Sequence, residues 1–144
     1  DPHRFLHEAR RVLAPGGRLL AIEPYITPVS YLGYRLMHHE DVWFRGYQKP
    51  TARPDPWQGN LAMPNLLFGR ERKGWNERYP DLKLLKRQRF SLLDFQLAGG
   101  FKPYAFVGNR RLYDFCLRVD RCLDVFGPLL GFRILIVIEK ESNP

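Results

Sequence analysis

The feature that most constrains the fold is the succession of a helix, a tight turn and an apolar strand within residues 1–24. Asp1 and Pro2 signal a helix start, because an Asp side chain accepts hydrogen bonds from first-turn amides and Pro lacks only an amide that would be unpaired there. Pro15 ends the helix, and the glycine pair after it permits the positive φ of a reversal. This order is half of an α/β unit, so we expect a sheet of parallel strands joined by long crossovers.

The strand in this unit is the uninterrupted apolar run Leu19-Leu20-Ala21-Ile22. Such a run is typical of a strand covered on both faces, whereas a strand with one wet face alternates apolar and polar residues. We therefore expect this strand inside a sheet. Its neighbours are expected upstream of Asp1 or in a second chain that completes the sheet.

Two segments of the chain carry a family resemblance. The first comprises Phe5-Leu6-His7-Glu8-Ala9-Arg10-Arg11-Val12-Leu13, Pro15-Gly16-Gly17-Arg18-Leu19-Leu20 and Glu23-Pro24, and the second is Gly131-Phe132-Arg133-Ile134-Leu135-Ile136-Val137-Ile138-Glu139-Lys140. The first resembles the helix and fifth strand, and the second the closing antiparallel strand, of class I S-adenosylmethionine-dependent methyltransferases, in particular the type 11 domains. The resemblance implies the C-terminal part of a doubly wound, mostly parallel Rossmann-like α/β sheet with an inserted helical cap.

The chain divides into three parts under this interpretation. Residues 1–24 give the core helix and strand, residues 25–80 form a helical and loop cap on the substrate side, and residues 81–144 complete the core. Prolines and large aromatic residues in 45–64 indicate a lid rather than a plain loop. Further helices are predicted over 65–79 and, from an unbroken apolar face capped by Asn109, over 109–126.

The other predicted elements follow from spacing. Thr27-Pro28 starts a helix whose apolar face comprises Val29, Leu32, Gly33, Leu36 and Met37, with Tyr31, Tyr34, Arg35 and His38 on the opposite side. The mixed faces of 82–89 predict an edge strand, and Ser91 caps a short helix that ends at Gly99-Gly100. Gly127-Pro128 ends the long helix, and the Ile-Val run of 134–138 predicts a strand buried on both faces.

The resemblance implies S-adenosylmethionine as the cofactor, but the main cofactor motif is missing. In the family a glycine-rich turn and an acidic residue after the first two strands hold this cofactor. No Gly-Xaa-Gly occurs in the 144 residues, so the close backbone approach that glycine permits has no candidate. We expect the cofactor to be bound mainly by residues outside this chain, in an N-terminal half or a completing chain.

The candidate acceptor site follows the first strand. Ligands of doubly wound sheets sit at the carboxyl ends of the strands, so Tyr25, Tyr34, His38 and His39 are predicted to line the acceptor site, with one His as general base. Trp43 is added as an acceptor-binding residue. The alternative is that the tyrosines pack and the histidines are ordinary surface residues. A metal site at His38-His39-Glu40-Asp41 is not predicted, because adjacent helical residues point about 100° apart.

The net charge of +8 leaves a second function open. Basic residues cluster in three stretches: Arg70, Arg72 and Lys73; Lys83, Lys86, Arg87 and Arg89; Arg110 and Arg111. A non-catalytic α/β module that binds an anionic partner through a basic face is therefore the alternative to methyl transfer. The expected acceptor is a small molecule, a lipid or a glycan, and nucleic acid is possible but less favoured. No segment approaches the roughly 20 apolar residues of a membrane span, and we expect a cytoplasmic protein.

Overall fold

The computed structural model describes residues 1–38, 40–48, 59–97 and 109–142. Its centre is a three-stranded sheet of β1 (Arg18–Pro24), β2 (Leu82–Phe90) and β3 (Arg133–Lys140) in the order β1-β3-β2. Strand β3 is antiparallel to both neighbours and places Val137 opposite Leu20 on one side and Lys86 on the other. The described residues thus form a small α/β protein with an antiparallel sheet.

The prediction of a doubly wound, mostly parallel Rossmann-like sheet is wrong for the described residues, because every strand pairing among them is antiparallel. The apolar run in β1 indicates burial, but an apolar run carries no information about the direction of the neighbouring strand. Strands β1 and β2 run in the same direction but do not pair with each other.

More buried and more exposed residues alternate along β1 and β3, so these strands are not buried on both faces. Ile134, Ile136 and Ile138 are completely buried, whereas Leu20 is 65% exposed and Ile22 is 57% exposed. Among the described residues β1 is an edge strand, so the expectation of a strand enclosed on both faces is not met. Strand β2 is at the other edge, as predicted.

One face of the sheet is covered by helices α1 (Pro2–Val12), α3 (Met63–Phe68) and α4 (Trp75–Arg78). The predicted start of α1 is confirmed, since the Asp1 carboxylate accepts hydrogen bonds from the His3 and Arg4 amides. The core on this face joins Leu6 of α1 to the three β3 isoleucines and to residues of the cap: Tyr25, Leu67, Phe68, Trp75, Tyr79 and Leu82. This face is the one on which the candidate site lies.

The turn between α1 and β1 is tied to the last strand. Gly16 has a φ of +74°, a conformation that side chains disfavour, and its amide donates to the Lys140 carbonyl at 2.8 Å. The Lys140 ammonium group in turn donates to the Arg10 and Leu13 carbonyls at the end of α1. The helix–turn–strand unit is therefore fixed to β3, which follows it by more than a hundred residues.

Helix α2 (Pro28–Met37) begins at the predicted residue, but the face that it buries is opposite to the predicted apolar face. The Thr27 cap is confirmed, with its hydroxyl oxygen accepting from the Ser30 amide. The buried residues of the helix are Ser30 and Tyr34, whereas Leu32 and Leu36 of the predicted apolar face are 61% and 73% exposed. The reason is that the Tyr34 ring packs between two other aromatic rings, Phe95 and Phe132, and satisfies its hydroxyl group there.

The remaining helices differ from the predicted ones in where they begin and end. The predicted helix over 65–79 divides into α3, a 3-10 helix (Arg70–Gly74) and α4. Beyond β2, α5 is Asp94–Leu97, and α6 (Arg110–Leu123), capped by Asn109 as predicted, continues as a 3-10 helix (Asp124–Phe126). Gly127–Leu130 forms a further short helix, α7, where the sequence predicted only the end of the long helix.

The centre of the predicted lid and Gly99-Gly100 lie outside the described residues. No helix in the described ranges is long and apolar enough to cross a membrane.

Candidate functional site

A cavity of about 240 Å³ lies between the first turn of α1 and the segment that joins α3 to α4. Its lining combines an apolar base, in which Trp75 is 4% exposed, with charged and hydrogen-bonding side chains. The lining residues are His3, Leu67, Glu71, Gly74, Trp75, Arg78 and Tyr79. An apolar cavity with a few convergent polar groups is the usual form of a small-ligand site.

His3 is hydrogen bonded through both ring nitrogens. Its Nδ1 is 2.6 Å from the Tyr79 hydroxyl oxygen, and its Nε2 is 3.1 Å from Nη1 of Arg78. Nη1 of Arg78 is also 3.4 Å from Nδ1, so the guanidinium group lies over the imidazole ring and does not select one of its nitrogens. A Tyr79 hydroxyl can donate to Nδ1 or accept from it, and the tautomer with the proton on Nδ1 leaves the lone pair on Nε2.

Glu71 joins the other members of this network. Its Oε2 accepts from Arg78 at 2.6 Å and is 3.4 Å from Nε2 of His3, while its Oε1 accepts from the Tyr47 hydroxyl at 2.6 Å. The carboxylate is therefore placed to form an ion pair with His3 as soon as Nε2 gains a proton. A carboxylate beside an imidazole favours the protonated form of the ring.

The surroundings keep His3 neutral at neutral pH. Burial lowers the pKa of His3, and the nearby Arg78 charge lowers it further, while Glu71 acts in the opposite direction. Burial also raises the pKa of Tyr79, so its hydroxyl group stays protonated. The network can therefore accept one proton at His3 without first losing one.

The predicted residues Tyr25 and Tyr34 both lie outside the lining of this cavity. Tyr25 is 6% exposed and belongs to the core cluster that also contains Leu67, so its predicted role in acceptor binding stays a prediction. Tyr34 is 1% exposed and donates its hydroxyl proton to the Phe132 carbonyl at 2.8 Å; burial raises its pKa. Tyr34 thus has a packing role, and its predicted role in acceptor binding stays a prediction.

The predicted residues His38 and Trp43 lie outside the cavity lining, and His39 lies outside the described residues. Nδ1 of His38 accepts from the Glu40 amide at 3.2 Å, so the proton of the neutral ring is on Nε2. A general base at His38 would have to act through Nδ1 and would lose this hydrogen bond. The Trp43 amide donates to Asn60, and the Arg45 guanidinium lies 5.7 Å from the Trp43 ring.

The residues that form the network were not predicted from the sequence. His3 and Tyr79 are separated by 76 positions and His3 and Arg78 by 75, so no spacing pattern joins them. The only local signals were the first-turn position of His3 and a polar residue at every turn of 71–79. Neither signal distinguishes a site from a solvated helix face.

A second, larger groove of about 710 Å³ runs along β2. Part of the predicted basic face lines it, because the segment before α4 lies next to this strand. The lining residues are Arg72, Trp75, Asn76, Lys83, Leu84, Leu85 and Arg87. The structure thus brings together basic residues from two of the three stretches that the sequence singles out.

Comparisons of the chain with protein-family models, with curated proteins and with solved structures found no match in any of the three. Two features of the described residues bear on function: the His3 network with its cavity, and the basic groove along β2.

Proposed function

We propose that this chain provides the acceptor side of an S-adenosylmethionine-dependent methyltransferase. The observation that carries the proposal is that the two segments that resemble this family pair directly with each other. Strand β1 pairs with β3 along all seven of its residues, from Arg18 opposite Glu139 to Pro24 opposite Arg133. Chance similarity in two distant segments would not require them to be neighbours.

The residues of this chain do not fit a binding site for the methyl donor. No Gly-Xaa-Gly is present, and β1 ends at Pro24 and is followed by Tyr25, whose side chains prevent the close backbone approach that a glycine turn allows. S-adenosylmethionine would supply the methyl group, and its binding is proposed to depend mainly on residues outside this chain. What this chain provides is a place for the acceptor and for the acceptor's proton.

In this proposal the 240 Å³ cavity holds the nucleophilic group of the acceptor. Nε2 of His3 takes the proton of a hydroxyl or amine, and Glu71, 3.4 Å from Nε2, stabilises the imidazolium that forms. A positioned base of this kind typically contributes about 10²- to 10⁴-fold in rate. The cavity suits the reactive end of a small molecule, a lipid or a glycan, and we propose a cytoplasmic location.

The test measures label transfer from methyl-labelled S-adenosylmethionine by the protein that contains this chain, with small-molecule, lipid and glycan fractions as acceptors. We expect labelled product, and we expect His3→Asn to lower kcat by at least about 100-fold if the base is lost. His7→Asn is the matched control, because His7 lies one turn along α1 and its ring centre is 5.6 Å from that of Tyr79. No labelled product in any fraction, or equal losses in both variants, would contradict the proposal.

A further inference from the structure

The groove along β2 has the composition of an anion site. We infer that it binds a phosphate monoester group, carried either by a soluble ester or by a lipid head group. This inference goes beyond methyl transfer and does not depend on it. Three of the residues that line the groove are cationic, and its base is formed by apolar side chains including Trp75 and Leu84.

The two arginines of the groove are not neutralised in the way that other arginines of this protein are. Elsewhere, Arg10, Arg18 and Arg78 each lie 2.6 Å from a carboxylate oxygen. In the groove, Lys83 pairs with Glu141, but Arg72 and Arg87 form no ion pair with any residue in the described ranges. Two adjacent uncompensated guanidinium groups therefore face the same space.

An irregularity in β2 brings Arg87 to this position. The register shifts between Leu84 and Lys86, so that Leu84 is opposite Ile138 while Arg87 is opposite Ile136. Leu84 and Arg87 consequently share the face of the sheet that the helices cover. Without the extra residue, Arg87 would be on the other face, together with Lys83. Bulges that redirect a side chain in this way are common beside binding sites.

The surroundings of Arg87 are unfavourable in the absence of an anion. Its Nε is buried without a hydrogen-bond acceptor. Burial lowers the pKa of Arg87 and the neighbouring charges of Arg72 and Arg89 lower it further, while Tyr25, which is hydrogen bonded to the Arg87 side chain, acts in the opposite direction. A buried donor without a partner normally needs an explanation. An anion in the groove would offset the repulsion between these guanidinium groups.

A phosphoryl group matches the donors better than a carboxylate does. The guanidinium groups of Arg72 and Arg87 and the Asn76 amide offer several donors to the same space. A phosphate monoester has three terminal oxygens arranged in a tetrahedron, and Arg binds such groups with pairs of charge-assisted hydrogen bonds. The volume of about 710 Å³ leaves space for the organic part of the ligand over Trp75.

The test is calorimetric titration of the 144-residue chain with inorganic phosphate and with glycerol 3-phosphate at constant ionic strength. We expect Arg72→Gln to weaken binding at least about 10-fold, because charge-assisted hydrogen bonds are lost. The side chain of Arg72 is exposed, so this variant keeps the fold. Arg70→Gln is the matched control, since Arg70 is exposed, carries the same charge and does not line the groove.

A second arm identifies the source of the phosphate. Phosphatidylcholine vesicles containing phosphatidic acid, which has a phosphate monoester head group, are compared with vesicles containing phosphatidylserine at equal charge. Binding of the soluble esters supports a soluble ligand, and binding of phosphatidic acid vesicles alone supports a lipid head group. Binding in neither arm, equal loss in Arg72→Gln and Arg70→Gln, equal binding of both vesicle types, or binding only to an oligonucleotide would overturn the inference.

Discussion

Both faces of the sheet carry aliphatic side chains, yet only one of them is closed by the described residues. On the face beneath α1, Ile134, Ile136 and Ile138 have no exposed surface. On the opposite face, Leu20 and Ile22 of β1 remain 65% and 57% exposed. The comparison teaches that an apolar pattern records a capacity for burial, whereas burial itself depends on which elements are available to cover the surface.

Helix α2 shows the same difference on a smaller scale. Its aliphatic side, with Leu32 and Leu36, has no covering element among the described residues, while Tyr34 is 1% exposed on the other side. The Tyr34 hydroxyl bonds to the Phe132 carbonyl, so this polar group is satisfied while the ring is buried. The side of the helix that faces inward is therefore the one with Tyr34, whose hydroxyl group is hydrogen bonded and whose ring packs against other aromatic rings.

The largest difference between the two faces is expected from alanine substitutions in β3 and β1. Ile136→Ala should lower the free energy of unfolding by about 2–5 kcal/mol, because it leaves a cavity in a closed core. Leu20→Ala should cost less than about 1 kcal/mol, because the side chain is already largely exposed. Urea denaturation monitored by circular dichroism measures both values. Equal losses would show that the two faces are equally buried in solution.

A smaller effect is expected at the hydroxyl group that fixes α2. Tyr34→Phe should cost about 1 kcal/mol, and the cost is moderate because the Phe132 carbonyl also accepts from the Tyr25 amide. Tyr31→Phe is the control, because its hydroxyl group is exposed and contacts Arg35 within the same helix. The same denaturation measurement applies. A larger loss of unfolding free energy for Tyr31→Phe than for Tyr34→Phe would contradict the assignment of the Tyr34 side of the helix as the buried one.

The closed face should also respond to pH through His3. Its pKa in the folded chain is lowered from the ordinary value of 6.5, so the unfolded chain binds the proton more readily. The contribution of His3 to stability is therefore complete above pH 6.5 and is lost as the pH falls below that value. Because several carboxyl groups also titrate in acid, the measured quantity is the difference in unfolding free energy between wild type and His3→Asn. A difference that grows as the pH falls would contradict the assignment.

The smallest change in stability is expected on the open face. Replacement of Leu20 and Ile22 by Ser should alter the free energy of unfolding by less than about 1 kcal/mol, because both side chains are mainly exposed. The same double variant should bind less of a dye that recognises exposed apolar surface. Loss of the fold in this variant would show that the β1 face is covered in solution.

Local structure was predicted better than tertiary arrangement. The caps at Asp1, Thr27 and Asn109 and the edge position of β2 are confirmed, because each depends on neighbours in sequence or on the alternation of a single strand. The apolar run in β1 did not predict whether its neighbour is parallel or antiparallel, because apolar runs of this composition occur both in parallel strands and in central antiparallel strands. The side of α2 that faces inward depended on contacts with Phe95 and Phe132, far along the chain.

The residues of the candidate site were not predicted from the sequence. Tyr25, Tyr34, His38 and Trp43 lie outside the cavity lining, and their roles in acceptor binding or catalysis stay predictions. His3 and its partners come together only through the packing of α1 against α4, so no local pattern marks them. The basic stretches were visible, but the shift of register that turns Arg87 toward Arg72 was not.

The most direct test of the account is an NMR titration of His3 in the 144-residue chain between pH 5 and 8, with His3→Asn used to assign its ring signals. The proposal that His3 receives the acceptor's proton requires a neutral imidazole at neutral pH. We expect a midpoint below 6.5, because burial and Arg78 together outweigh Glu71. A midpoint above 6.5 would mean that His3 is already substantially protonated near neutral pH, and it would contradict its role as the base.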